Sequence, residues 1–323
     1  MPAPDSIHDR MDPQIREFVT RMSAAFAAHP SFSLAAPVEA RRIAEQVRAP
    51  WRAGGPTMLS TTERQVPAGT GTVRIRVYDP GPRGAKAALV YLHGGGWTIF
   101  SLDTHDRVMR EYASRAGVVV VGVDYALSPE VRFPVALNQT VAVVRWLATH
   151  ARDLDVDPKR IAIGGDSAGA NLSLATALTL RDAAAGEHQA LSALLLNYGA
   201  FDTHSSPEVI RTLGAKGAML EHEEMQQFWQ IYLESPATVS NVLAVPLRAP
   251  LAGLPPVFLT IPELDLLAEQ SVSLAEKLRL AGVPVRAEIY PGATHSFLEA
   301  VSIAEIANRA LEDGAQWLKN TLG

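Results

Sequence analysis

The stretch Ile161-Ala162-Ile163-Gly164-Gly165-Asp166-Ser167-Ala168-Gly169 decides how this chain is read. A short apolar run, Arg160–Ile163, leads into it, and a helical pattern from Ala168 to Asp182 leads out. Gly-x-Ser-x-Gly between a strand and a helix predicts a tight turn that lifts a serine above the sheet edge. Such a turn needs residues almost without side chains two positions before and two after the serine. The helix behind it places a positive N-terminus where negative charge develops. The bland alternative is a chance match in a glycine-rich turn, and the strand and helix on either side argue against it. Gly164 to Gly169 also has the spacing of a phosphate-binding loop, but Ala170 and Asn171 stand where that loop needs Lys and Ser or Thr.

Outward from this turn the chain alternates. Ala87–Leu92 and Val118–Val123 are near-continuous apolar runs, as strands covered on both faces are. Val73–Tyr78 alternates with period two, like a half-buried antiparallel strand. Helices are predicted over Thr104–Arg115, Val135–Ala151, Ala268–Leu280 and Ile303–Leu322, and further strands over Leu191–Asn197, Val257–Thr260 and Val285–Tyr290. Strand alternating with helix over about 250 residues predicts one α/β domain with a mostly parallel sheet.

Two segments break that rhythm. Residues 202–250 read as an inserted loop with one or two helices, and Phe228, Trp229 and Tyr232 give it one aromatic face. At the start, Asp12-Pro13 opens a helix in which Ile15, Phe18, Val19, Met22 and Phe26 recur at helical spacing. Val38, Arg42, Ile43 and Val47 suggest a second. The expected organisation is a helical cap segment over 1–50 and a catalytic domain over 51–323 with a cap insertion near 202–250. For the first segment, an ordinary core-packing helix is the plainer alternative.

His93-Gly94-Gly95-Gly96-Trp97 follows the strand Ala87–Leu92 directly. Three consecutive glycines let backbone N–H groups point unshielded at one place, which is what a developing oxyanion needs. His93 reads as a structural histidine fixing that loop. A serine nucleophile also needs a base and an orienting acid, in the chain order Ser, acid, His. His8, His29, His93, His105 and His150 precede Ser167 and are out of order. His188 falls in a helix–strand connection, and His204 and His222 fall in the inserted segment. His295 sits in a loop just after the last predicted strand, where active-site residues of open α/β sheets gather, and is the predicted base. For the acid, Asp265, Glu263 and Asp202 all follow strands in the allowed order, and spacing leaves Asp265 only slightly ahead.

The composition narrows the class. At 323 residues the chain can bury a sizeable core, and its net charge of −5 shows none of the basic excess of a nucleic-acid binder. It has no cysteine, so a disulfide scaffold, a cysteine-ligated metal and a cysteine nucleophile are excluded. No apolar run is long enough to span a membrane. The start lacks the apolar stretch of a secretory signal, so a cytoplasmic protein is expected.

With these motifs the chain resembles the bacterial hormone-sensitive-lipase-like esterases, family IV of the α/β-hydrolases. The resemblance rests on residues 93–97 and 165–169, and on Asp124-Tyr125-Ala126-Leu127-Ser128-Pro129-Glu130. It covers roughly residues 65–320. Leu127-Ser128-Pro129-Glu130, Arg132-Phe133-Pro134 and Asp313-Gly314-Ala315-Gln316 make it similar to acetyl esterases in particular. The resemblance implies an α/β-hydrolase fold, with Ser167 as nucleophile, His295 as base and Asp265 as acid. Asp265-Leu266-Leu267-Ala268-Glu269 matches the family's acid motif except at Leu266, where proline is usual, and Glu263 is the fallback. It further implies oxyanion donors at Gly95, Gly96 and Ala168, with Asp166, Glu130 and Asn171 as scaffold. Ala126 replaces a usual arginine, read as structural.

The implied reaction is hydrolysis of short-chain esters through an acyl-enzyme, with no metal or organic cofactor. The expected partner is a small-molecule ester, with no nucleic acid and no membrane, and at most a second copy of the chain in a homodimer. Trp97 also fits formamidases that cleave an aryl formamide, a rival with the same chemistry. A non-enzymatic binding module on this fold is the rival from another class. Plant hormone receptors of the family lack the catalytic histidine, whereas Ser167, Asp265 and His295 are all present here.

Overall fold

Valine-rich and leucine-rich runs make the centre of the molecule a sheet buried on both faces. The computed structural model describes residues 7–29, 36–82, 84–184 and 191–323. Its eight strands are β1 (Ser60–Ala68), β2 (Gly71–Asp79), β3 (Lys86–Leu92), β4 (Val119–Asp124), β5 (Val156–Asp166), β6 (Ala193–Asn197), β7 (Val257–Leu264) and β8 (Val285–Thr294). They lie in the order β1-β2-β4-β3-β5-β6-β7-β8. β2 runs antiparallel to β1 and β4, and every later pairing is parallel. Each parallel crossover carries helices to one face or the other, as in other α/β sheets.

The helices are α1 (Ile7–Arg10), α2 (Pro13–Ala27), α3 (Pro37–Arg52), α4 (Asp106–Ala116), α5 (Val135–His150), α6 (Ala168–Arg181), α7 (Pro207–Thr212), α8 (His222–Tyr232), α9 (Ala268–Leu280) and α10 (Glu305–Leu322). β3 shows how the two cores divide. Ala88, Val90 and Leu92 join one apolar cluster, and Ala87, Leu89 and Tyr91 join the other.

The two segments outside the alternation root in different cores. Asp12 caps α2 by accepting from the amides of Gln14 and Ile15. Its stripe, Ile15, Phe18, Val19 and Met22, is buried with Ile43, Val47 and Trp51 of α3 in the cluster that holds α4 and α10. Phe18 and Trp51 meet edge to face at 4.7 Å. From the inserted segment, Met225, Trp229 and Tyr232 of α8 are buried in the opposite cluster, with α5, α6 and α9. Both segments reach over the carboxyl ends of the parallel strands. Among the described residues, no helix is long and apolar enough to cross a membrane.

Candidate active site

Register alone brings two parts of the site together. Leu264 at the end of β7 pairs with Thr294 at the end of β8. The next residues, Asp265 and His295, therefore leave the sheet side by side. His295 Nδ1 lies 2.8 Å from Asp265 Oδ2, and His295 Nε2 lies 3.0 Å from Ser167 Oγ. With Nδ1–H donated to the carboxylate, Nε2 is the nitrogen that accepts from the serine hydroxyl. The other Asp265 oxygen accepts from the Leu267 amide at 3.0 Å, so the turn is held although Leu266 replaces proline. Burial by itself would lower the His295 imidazole. The charge and hydrogen bond of Asp265 outweigh that and hold it above its ordinary value.

Ser167 sits between β5 and α6 with φ +53° and ψ −117°, a conformation rarely adopted by a residue with a side chain. The turn is held from outside: the Ser167 amide donates to the Asn197 carbonyl at 2.9 Å. A Cβ on either Gly165 or Gly169 would overlap the carbonyl oxygen of Leu92. Gly169→Ala should therefore destabilise the fold by about 2 kcal/mol or more through overpacking against backbone. A denaturant midpoint equal to that of the parent protein would show that the elbow can yield.

Gly95 and Gly96, at φ +107° and +56°, carry the loop after β3 past the serine. Among the described residues, the amides of Gly95, Gly96 and Ala168 donate to no other backbone carbonyl. His93 holds this loop, as its position suggested. Its Nδ1–H donates to the Gly94 carbonyl at 2.7 Å, and its ring stacks on Tyr125 at 4.5 Å. Burial pushes its pKa down to about 3, so it stays neutral.

The other acid candidates are engaged elsewhere. Glu263 pairs with Arg10 at 3.1 Å and accepts from the Gly292 amide at 2.9 Å. Asp202 pairs with Arg248 at 2.7 Å. Of the other histidines after Ser167, His204 is exposed, His222 opens α8, and His188 lies outside the described residues. The scaffold positions are also occupied. Glu130 pairs with Arg41 at 2.6 Å, and the Asn171 amide donates to the carbonyls of Ala200 and Ala244 at 2.8 and 3.1 Å.

Asp166 anchors a buried polar network that the sequence reading did not find. It accepts from the Tyr91 hydroxyl at 2.9 Å and lies 3.2 Å from His105 Nε2. Burial would raise its carboxyl, yet the charge and hydrogen bond of His105 hold it below its ordinary value. His105 also faces Glu299 at 3.7 Å, and Glu299 forms a close ion pair with Arg48 of α3. The Arg48 guanidinium lies 4.5 Å from the centre of the Phe100 ring. Five separate stretches of chain thus meet behind the serine. Arg48 carries the usual marks of a solvated helix charge, and only the fold shows it buried.

A cavity of about 250 Å³ opens over Ser167 and His295, with Gly95 and Gly96 in its wall. That is at the small end for a ligand pocket. Met22 and Phe26 of α2 and Arg48 of α3 line one side, and Glu224 and Phe228 of α8 line another. Phe100 and Phe228 also reach the cavity. Trp97 and Phe201 are core, Trp97 stacking on Tyr232 at 4.1 Å.

Comparisons with known proteins agree with this architecture. A family model described as alpha/beta hydrolase fold matches residues 89–299. An acetyl esterase of Salmonella choleraesuis is 37% identical over 278 residues, covering 83% of this chain and 82% of that protein. An esterase of Pyrobaculum calidifontis superposes with a TM-score of 0.88 at 30% identity, over 96% of this chain and 98% of that one. A thermostable carboxylesterase from a metagenomic library superposes with a TM-score of 0.85 at 31% identity, over 90% and 99%.

Proposed function

The chain belongs to the hormone-sensitive-lipase-like α/β hydrolases and is a carboxylic ester hydrolase; on that premise we propose that Ser167, His295 and Asp265 carry the reaction and that its esters have short acyl groups. The hydrogen-bonded line from Asp265 through His295 to Ser167, at 2.8 and 3.0 Å, carries this reading.

In this reading His295 Nε2 takes the Ser167 proton as Oγ attacks the ester carbonyl. The amides of Gly95, Gly96 and Ala168 stabilise the oxyanion, aided by the N-terminus of α6. His295 then returns the proton to the leaving alcohol, and a water activated by the same nitrogen releases the acid. Asp265 fixes the tautomer and stabilises the imidazolium at each step. The segment carrying α2 and α3, together with α8, forms a cover that limits the size of what enters.

An acyl series of p-nitrophenyl esters tests the size claim. kcat/KM should be highest between acetate and butyrate and at least about tenfold lower for octanoate. A rate that climbs through octanoate would reject the short-chain reading. Faster cleavage of an N-formyl anilide than of the acetate ester would favour the amide hydrolase instead.

A further inference from the structure

We infer that Glu224 makes this active site prefer esters whose alcohol carries a fixed positive charge, such as a quaternary ammonium group. The inference rests on the ester-hydrolase reading above and concerns the substrate class of that same site.

Glu224 and Phe228 stand one turn apart on α8, so they share a face. Both line the cavity over Ser167. Both also line a second cavity of about 490 Å³ that adjoins it. Glu224 therefore stands at the seam between the place where the ester reacts and the space next to it. With a short acyl group at Ser167, the larger alcohol portion is what extends toward that seam. The chemistry there suits a cation. Phe228 covers Gly96 so closely that a Cβ on that glycine would strike its ring. Phe26, Phe100, Met22 and Met225 add aromatic and thioether surface to the cavity that Glu224 lines. A carboxylate beside aromatic faces is a combination that binds quaternary ammonium groups.

The surrounding charges leave this role open. Arg48, the basic side chain lining the first cavity, is paired with Glu299. Among the described residues, the second cavity is lined by Glu221 and Glu223 and by no Lys or Arg, and Arg41, bonded to the Thr98 and Ser128 carbonyls beside it, is paired with Glu130. From the sheet side, Asp166 and His295 face the first cavity. Burial pushes the Glu224 carboxyl up to about 7, against the opposing pull of the His295 charge. Glu224 is thus neutral in mild acid and anionic above neutrality. A preference that depends on its charge must grow as pH rises.

Acetylcholine and its uncharged isostere 3,3-dimethylbutyl acetate test this on the whole protein. Both react only with the form of the enzyme that has neutral His295, so the ratio of their kcat/KM values cancels that titration. The ratio should rise about tenfold between roughly pH 5.5 and pH 8.5, and Glu224→Gln should flatten it. A ratio that does not change with pH in the parent protein overturns the inference, as does the same rise in the variant. Competition against p-nitrophenyl acetate gives a second readout that needs no turnover of either probe. Choline should inhibit more strongly than 3,3-dimethylbutanol at high pH, and equal inhibition overturns the inference. Failure to hydrolyse p-nitrophenyl acetate itself would instead reject the ester-hydrolase reading.

Discussion

Ser167→Ala should lower ester turnover at least about 10³-fold while leaving the melting temperature near that of the parent protein. The hydroxyl contributes a single hydrogen bond, to His295 Nε2 at 3.0 Å. Alanine keeps the backbone amide that donates to Asn197, so the elbow keeps its anchor. The variant should also lose covalent labelling by an organophosphate. Residual activity near that of the parent in a folded variant would remove Ser167 from the mechanism, whatever the geometry around it.

The second large effect is expected at Asp265. Asp265→Asn should cost about 10³-fold or more, because an amide no longer fixes the imidazole tautomer. Glu263→Gln and Asp202→Asn should cost little, since their carboxylates hold Arg10 and Arg248. The pH dependence gives an independent sign. Asp265 holds the His295 imidazole above its ordinary value, so removing the anion lets it lose its proton at lower pH. The acidic limb of kcat/KM should therefore move to lower pH even as the plateau falls. A larger loss from either control substitution would move the acid to that residue.

The parts of the site that the sequence made legible are local. The elbow needs small residues at fixed offsets, and the glycine loop needs several of them in a row, so both can be read from adjacent letters. His295 and Asp265 are legible through chain order, and the pairing of Leu264 with Thr294 explains why they meet. Strand limits were less legible. β1 goes unseen because it is an almost wholly exposed edge strand with no apolar alternation. β5 begins at Val156, earlier than expected, because Val156 pairs with Lys86 across a register shift from the main ladder that starts at Ile161. β8 runs through Pro291 and Gly292 to Thr294, past residues that usually end a strand. The last expected helix, Ile303–Leu322, forms as α10 from Glu305, and a 3-10 turn, Phe297–Ser302, precedes it unannounced by the sequence. Glu224, Arg48, His105 and Glu299 carry no local signature. Their importance depends on which distant elements pack against them, and single-residue identity does not encode that.

The ion pair between Arg48 and Glu299 bears on how fast the site can exchange its contents. Lifting α3 away would leave the Glu299 carboxylate buried without its partner, which costs about 3–5 kcal/mol. The α3 edge of the proposed cover is thereby held in place. Across the cavity from α3, Met219 and Phe228 are partly buried side chains that can turn about their own bonds. Such rotations take picoseconds to nanoseconds where side chains are exposed, whereas a helical lid opens over microseconds to milliseconds. Exchange of small esters and products is therefore expected to run through that side of the cavity, by side-chain rotation and not by lifting α3.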